Sequence, residues 1–234
     1  MNLRLIMLLP LVIAALPSRS GAQLIASAAV APDNVITTVS PRTVPVYIRP
    51  SQATLVQNYS LDAFGPYPIV ASAFTAGLNQ FTNSPPEWRQ GVEGYSKRFG
   101  SDVGIVAVAT TSRYGLAEAF KEDTLYYRCE CRGIGPRMRH AVVSTLTARR
   151  GDDGHRVFSI PALIAPYAGT MTAVYAWFPN RYGAKDAFRM GNYSMLGYVG
   201  ENISLEFLYS GPRSLFARMH LNDSRGAPDP GPNH

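Results

Sequence analysis

Between Asp62 and Glu87, and again between Arg156 and Arg181, the chain runs for 24 residues without a charged side chain. Such a stretch belongs in lipid or against other protein, where its backbone groups must find partners other than water. The first is broken by Pro66, Pro68, Pro85 and Pro86 and holds Asn79, Gln80 and Asn83; the second holds Pro161, Pro166 and Pro179. Neither supplies the roughly 20 predominantly apolar residues of a typical membrane span. A packed body with peripheral membrane contact is the expectation, and integral insertion the rival.

Apolar spacing sets the fold class. Val70, Ala73, Phe74, Gly77, Leu78 and Phe81 recur at three and four, which predicts a helix over residues 67–82. Ser84-Pro85-Pro86-Glu87 reads as a capping box, with the Ser84 hydroxyl accepting from exposed amides, Glu87 reaching back, and proline in the first turn. Helical spacing continues over 103–120, with Gly100 placed to bend or divide the segment, and then over 136–148, 160–178, 186–209 and 212–219. The predicted fold is all-α, a compact bundle of about six helices. Ala73 and Gly77, Gly100 and Gly104, and Ala165, Gly169 and Ala173 would form its small-residue packing faces. The alternative is a β-rich envelope protein, because Arg150-Gly151-Asp152-Asp153-Gly154 can turn a hairpin and Ile203, Leu205, Phe207 and Tyr209 alternate like a strand.

The ends read differently from the middle. Met1–Ala22 has the three parts of a secretory signal: Arg4, an apolar run from Leu5 to Leu16, and small residues before Gln23. Loss of Arg4 and Arg19 with that leader lowers the formal charge from +6 to +4. Residues 23–58 carry Pro32, Pro41, Pro45 and Pro50 and read as an extended arm, a spacer or a segment laid over the body through Val44, Val46 and Ile48. Residues 59–221 form the expected helical body, and 222–234, rich in proline and glycine, a disordered tail. Export places the chain in the periplasm or envelope membrane of a bacterium and disfavours nucleic acid as a partner.

Two features carry chemistry. Arg128, Arg132, Arg137, Arg139, Arg149, Arg150 and Arg156 fall within 29 residues, against only Glu130, Asp152 and Asp153. Arginine forks match phosphate bidentately, so the first six are candidate anion-binding residues for anionic lipid headgroups; ion pairs to Glu118, Glu122 and Asp123 are the plainer alternative. Cys129 and Cys131 are a candidate disulfide, whose C-x-C ring would be tight and labile in an oxidising compartment. Metal binding through His140 lacks the third and fourth ligands zinc needs. Glu87 and Glu93 lie on nearly opposite faces of one helix and cannot act as paired carboxylates. No G-x-S-x-G elbow and no phosphate-cradling glycine loop is present, so no catalytic residue, cofactor or metal site is assigned.

The run Phe74, Gly77, Gln80, Asn83, Pro85, Glu87-Trp88, Gly91, Gly94-Tyr95, Arg98-Phe99-Gly100 resembles a pattern of a group of uncharacterised exported bacterial proteins, written F-x-x-G-x-x-Q-x-x-N-x-P-x-E-W-x-x-G-x-x-G-[YF]-x-x-R. The likeness extends more loosely through Tyr126-Tyr127-Arg128 to Trp177-Phe178-Pro179. It implies a compartment and a helical body, and it transfers no activity. The combined expectation is a structural or interaction role, with anionic lipid headgroups or an envelope protein as partner. The rival is a hydrolase using His140 with Glu118 or Asp123 near the arginines.

Overall fold

Ser51 opens the ordered body: its Oγ accepts from the Thr54 amide at 3.2 Å and caps α1 (Gln52–Phe64). The computed structural model describes residues 47–207; the leader, the arm to residue 46, the helix expected at 212–219 and the tail lie outside the described residues. The described end of the arm is not a spacer. Residues 52–58 belong to α1, and Tyr47 is buried, its hydroxyl donating to Asp123 Oδ2 at 2.9 Å. Ile48, one of the three alternating residues expected to lay the arm over the body, is 82% exposed.

Gly65 joins α1 to α2 (Pro66–Phe81), and a Cβ there would strike the Leu61 backbone. A tight connection with positive φ at Asn83 and Arg89 and a 3-10 turn at Pro86–Trp88 leads to α3 (Gly91–Ala119). This helix runs unbroken through Gly100, which neither bends nor divides it. After β1 (Glu122–Asp123) come α4 (Ile134–Ser144), β2 (Thr147–Arg150), β3 (His155–Phe158), α5 (Ile160–Ala176) and α6 (Ala184–Phe207).

The body is mostly helical, but it is not all-α. Glycines at φ +71° and +66°, Gly151 and Gly154, close a hairpin between β2 and β3, and β1 pairs antiparallel with β2 in the order β1-β2-β3. The expected helix over 136–148 ends early for this reason: Thr147 and Ala148 pair with Phe158 and Val157. The alternating Ile203, Leu205 and Phe207 lie within α6, so their strand reading fails.

Packing centres on α3 against α5, with α6 on α5, α1 and α2 on α3, and α4 on α6. Of the proposed small-residue faces, the one on α5 permits close approach. Ala165 and Ala173 are fully buried, and a Cβ on Gly169 would come within 2.5 Å of the Ile105 carbonyl and 3.0 Å of Ala109 Cβ. Gly77 and Gly100 have open space where a Cβ would stand. The interior is correspondingly small-grained: among the described residues, nine of the fifteen buried hydrophobic side chains are alanines. Larger apolar groups lie outside. On α2 the buried positions are Pro68, Ser72 and Ala76, while Val70, Phe74, Leu78 and Phe81 are 67%, 64%, 52% and 84% exposed.

Candidate functional site

The sheet brings the arginine cluster and its acids together. Its register sets Glu122 opposite Arg150 and Asp123 opposite Arg149. Arg150 Nη2 donates to Glu122 Oε1 at 2.6 Å, and Ser159 Oγ donates to Glu122 Oε2 at 2.5 Å. Asp123 accepts from the Tyr47 and Tyr127 hydroxyls at 2.9 and 2.5 Å and from the Leu125 amide at 2.9 Å. Desolvation still raises the Asp123 pKa, and it raises those of both tyrosines as well. Arg149 is buried with its guanidinium over the Tyr47 and Tyr127 rings, 5.3 and 5.5 Å from their centroids, and donates to the Gly154 carbonyl.

Arg137 is committed elsewhere. Its Nε donates to Glu206 Oε1 at 2.8 Å and its Nη2 to the Glu206 carbonyl. Glu206, on α6, is completely buried and also accepts from Tyr126 Oη at 2.7 Å and the Cys129 amide at 3.1 Å. His140 lies at the edge of this group, its Nδ1 3.9 Å from Glu206 Oε2 and 3.4 Å from Tyr126 Oη. The guanidinium of Arg156 approaches His140 Nε2 at 3.0 Å; since a guanidinium only donates, that nitrogen is the acceptor and its lone pair is engaged. The anticipated pairing of His140 with Glu118 or Asp123 is therefore corrected: its carboxylate neighbour is Glu206, while Glu118 takes Arg49 and Gln52. A recess beside Arg113, Arg149, Arg156 and Ser144, about 30 Å³, has room for a water molecule.

Of the six candidate anion-binding residues, Arg137, Arg149 and Arg150 are thus held by internal partners, and they do not form one open basic surface. Arg132 and Arg139 are exposed and Arg128 is half-buried. Cys129 and Cys131 form a disulfide in the loop before α4, with Cα atoms 5.1 Å apart. Among the described residues no group of three or more His, Cys, Asp or Glu is gathered to hold a metal ion.

The capping box is also corrected. The Ser84 hydroxyl accepts no capping hydrogen bond from the Pro86–Trp88 turn, and Glu87 forms an ion pair with Arg181 at 2.6 Å. The sequence around it is organised instead by Arg98, whose side chain is fully buried on α3. All five of its N–H groups are used: Nε to the Ser84 carbonyl, Nη1 to Gln80 Oε1 and the Arg89 carbonyl, Nη2 to the Pro85 carbonyl and, longer at 3.4 Å, Asn83 Oδ1. Desolvation lowers its pKa from the ordinary arginine value. Gly94 is required because a Cβ there would strike the Arg89 carbonyl and come within 2.7 Å of the Trp88 carbonyl and Arg98 Nη1. Gln80, Asn83, Pro85, Gly94 and Arg98, five residues of the resemblance pattern, are therefore parts of one arginine-centred cage. The cage is structural: every donor is consumed by the protein itself.

Compared with known proteins by sequence and by fold, the chain matched no protein-family model, no curated protein and no solved structure. Glu206 and the buried role of Arg98 escaped sequence reading. Arg98 left a signal in the Gln-Asn-Pro-Gly-Arg spacing, whereas Glu206 had no local signature to distinguish it from a solvated helix residue.

Proposed function

We propose that the chain is an exported cell-envelope protein with a structural or interaction role, attached peripherally to anionic lipid headgroups. In this reading Met1–Ala22 is a leader, the Pro-rich arm links it to a compact helical body, and the body works by docking. The observation that carries the proposal is the reversed face of α2, where Val70, Phe74, Leu78 and Phe81 stand out from a helix inside a 24-residue uncharged segment. At 100° per residue these four fall within about 80° of arc, a continuous apolar stripe. Exposed apolar patches of this kind mark interaction surfaces, and a helix laid in the headgroup region buries such a stripe without spanning. None of the described helices is long and apolar enough to cross a membrane. The formal charge of +4 left after loss of the leader favours an anionic surface, and of the six candidate anion-binding residues Arg132 and Arg139 are the exposed ones.

The test is co-sedimentation of the mature chain with vesicles of neutral lipid alone or mixed with anionic lipid. F74D/F81D should reduce binding about tenfold or more through loss of apolar burial, and R132E/R139E only a few-fold, in a salt-sensitive manner. Wild-type protein that ignores anionic vesicles overturns the proposal; if it self-associates instead through the same phenylalanines, protein contact is the role of this face.

A further inference from the structure

The Cys129–Cys131 disulfide closes almost no chain, because one residue separates its ends. A disulfide restrains the unfolded ensemble according to the loop it closes, so this bond has little to contribute to folding. The loop is fixed by other means: the Cys129 amide is bonded to the buried Glu206 carboxylate, which Tyr126 and Arg137 also hold. The two sulfurs are unequal. Cys131 is exposed and Cys129 half-buried, and the Cys131 amide donates to Cys129 Sγ at 3.2 Å. Arg128 and Arg132 flank the pair against the single acid Glu130, and α4 begins three residues after Cys131. Flanking cations and helix N-terminal amides stabilise thiolates.

We propose that this disulfide is a thiol–disulfide exchange site that oxidises dithiols, preferentially those in acidic surroundings. A partner thiolate attacks the exposed Cys131 Sγ. The Cys129–Cys131 bond breaks, Cys129 leaves as a thiolate steadied by the Cys131 amide, and a mixed disulfide forms on Cys131. The partner's second thiolate attacks its own sulfur in that mixed disulfide and releases the Cys131 thiolate. Two electrons pass to the protein, the two protons shed by the partner's thiols protonate Cys129 and Cys131, and the partner departs with a disulfide. The proposal is independent of membrane attachment.

The experiment follows reduction of the mature chain by glutathione, an anionic thiol, and by cysteamine, a cationic one, with the freed thiols alkylated and counted by mass spectrometry. Reduction by glutathione should run about tenfold or more faster than for an oxidised peptide of residues 125–135, and prefer glutathione to cysteamine. R128Q/R132Q should lower that preference several-fold, and C129S, given oxidised glutathione in place of the reduced thiol, should exchange to a mixed disulfide on Cys131 with release of one reduced glutathione. A rate equal to the peptide's, or no charge preference, overturns the proposal. So does loss of helical circular dichroism in C129S/C131S, which would make the bond a folding element.

Discussion

Arg98 and the arginines of the sheet solve one problem in opposite ways. Arg98 is a single guanidinium taken fully out of water with neutral oxygens on all five donors, three of them backbone carbonyls of one tight connection. Arg137 and Arg150 keep part of their side chains in solvent and face carboxylates that are themselves buried, Glu206 and Glu122. In the cage the arginine organises a loop that has no regular hydrogen-bonding pattern of its own. In the sheet and on α4 the arginines compensate acids that strand pairing and helix packing have already buried. A dense run of arginine in sequence therefore marked a place rich in internal charge pairing, and the isolated arginine proved the more deeply structural.

The contrast predicts where damage is greatest. Arg98→Met should cost about 4 kcal/mol or more, since it strands several buried acceptors at ~1–3 kcal/mol each. Arg98→Lys should recover only part of this, because an ammonium cannot reproduce the planar fork. Chemical denaturation measures both, and a lysine variant as stable as wild type would mean that charge alone holds the connection. Glu206→Gln should cost less, about 2–4 kcal/mol, because Arg137 can turn its partly exposed head to water when the carboxylate is lost. A larger loss for Glu206→Gln than for Arg98→Met would invert the comparison.

Much of this architecture was legible. The three-and-four spacing predicted 67–82 and 186–209 as helices, and α2 and α6 occupy 66–81 and 184–207. Glu122 and Asp123 were named as partners for the arginines, and they face Arg150 and Arg149 across the sheet. What failed had non-local causes. The period of α2 was right, yet its bulky residues face outward, because the α3–α5 contact is built from alanine and glycine and the buried side of α2 is Pro68, Ser72 and Ala76. Ser84 and Glu87 fitted a local capping rule, but the Ser84 carbonyl is taken by Arg98 and the Glu87 carboxylate by Arg181. Glu206 meets Arg137 across 69 residues of sequence, a distance over which no periodic pattern carries information.

Asp102, on α3 only four residues beyond Arg98, has neither solution, and so it tests whether the partners described above matter. Its Oδ2 is buried without a hydrogen-bond partner, and desolvation pushes its pKa up from 3.8 to about 7. The folded state thus holds a proton that the unfolded state releases at lower pH. Stability contributed by this group is present below pH ~4 and is lost as pH rises through about 7, since the folded state binds more protons across that window. Asp102→Asn removes the charge with little change of volume, so it should leave stability nearly unchanged at pH 4 and raise it at pH 8, by ~1–3 kcal/mol. Melting temperatures of wild type and variant at the two pH values read the difference directly. A variant equally stabilised at both would locate the gain in packing, whereas one destabilised at pH 8 would show that the carboxylate holds a partner, as Glu122 and Glu206 do, and is not a charge left alone in the helix interface.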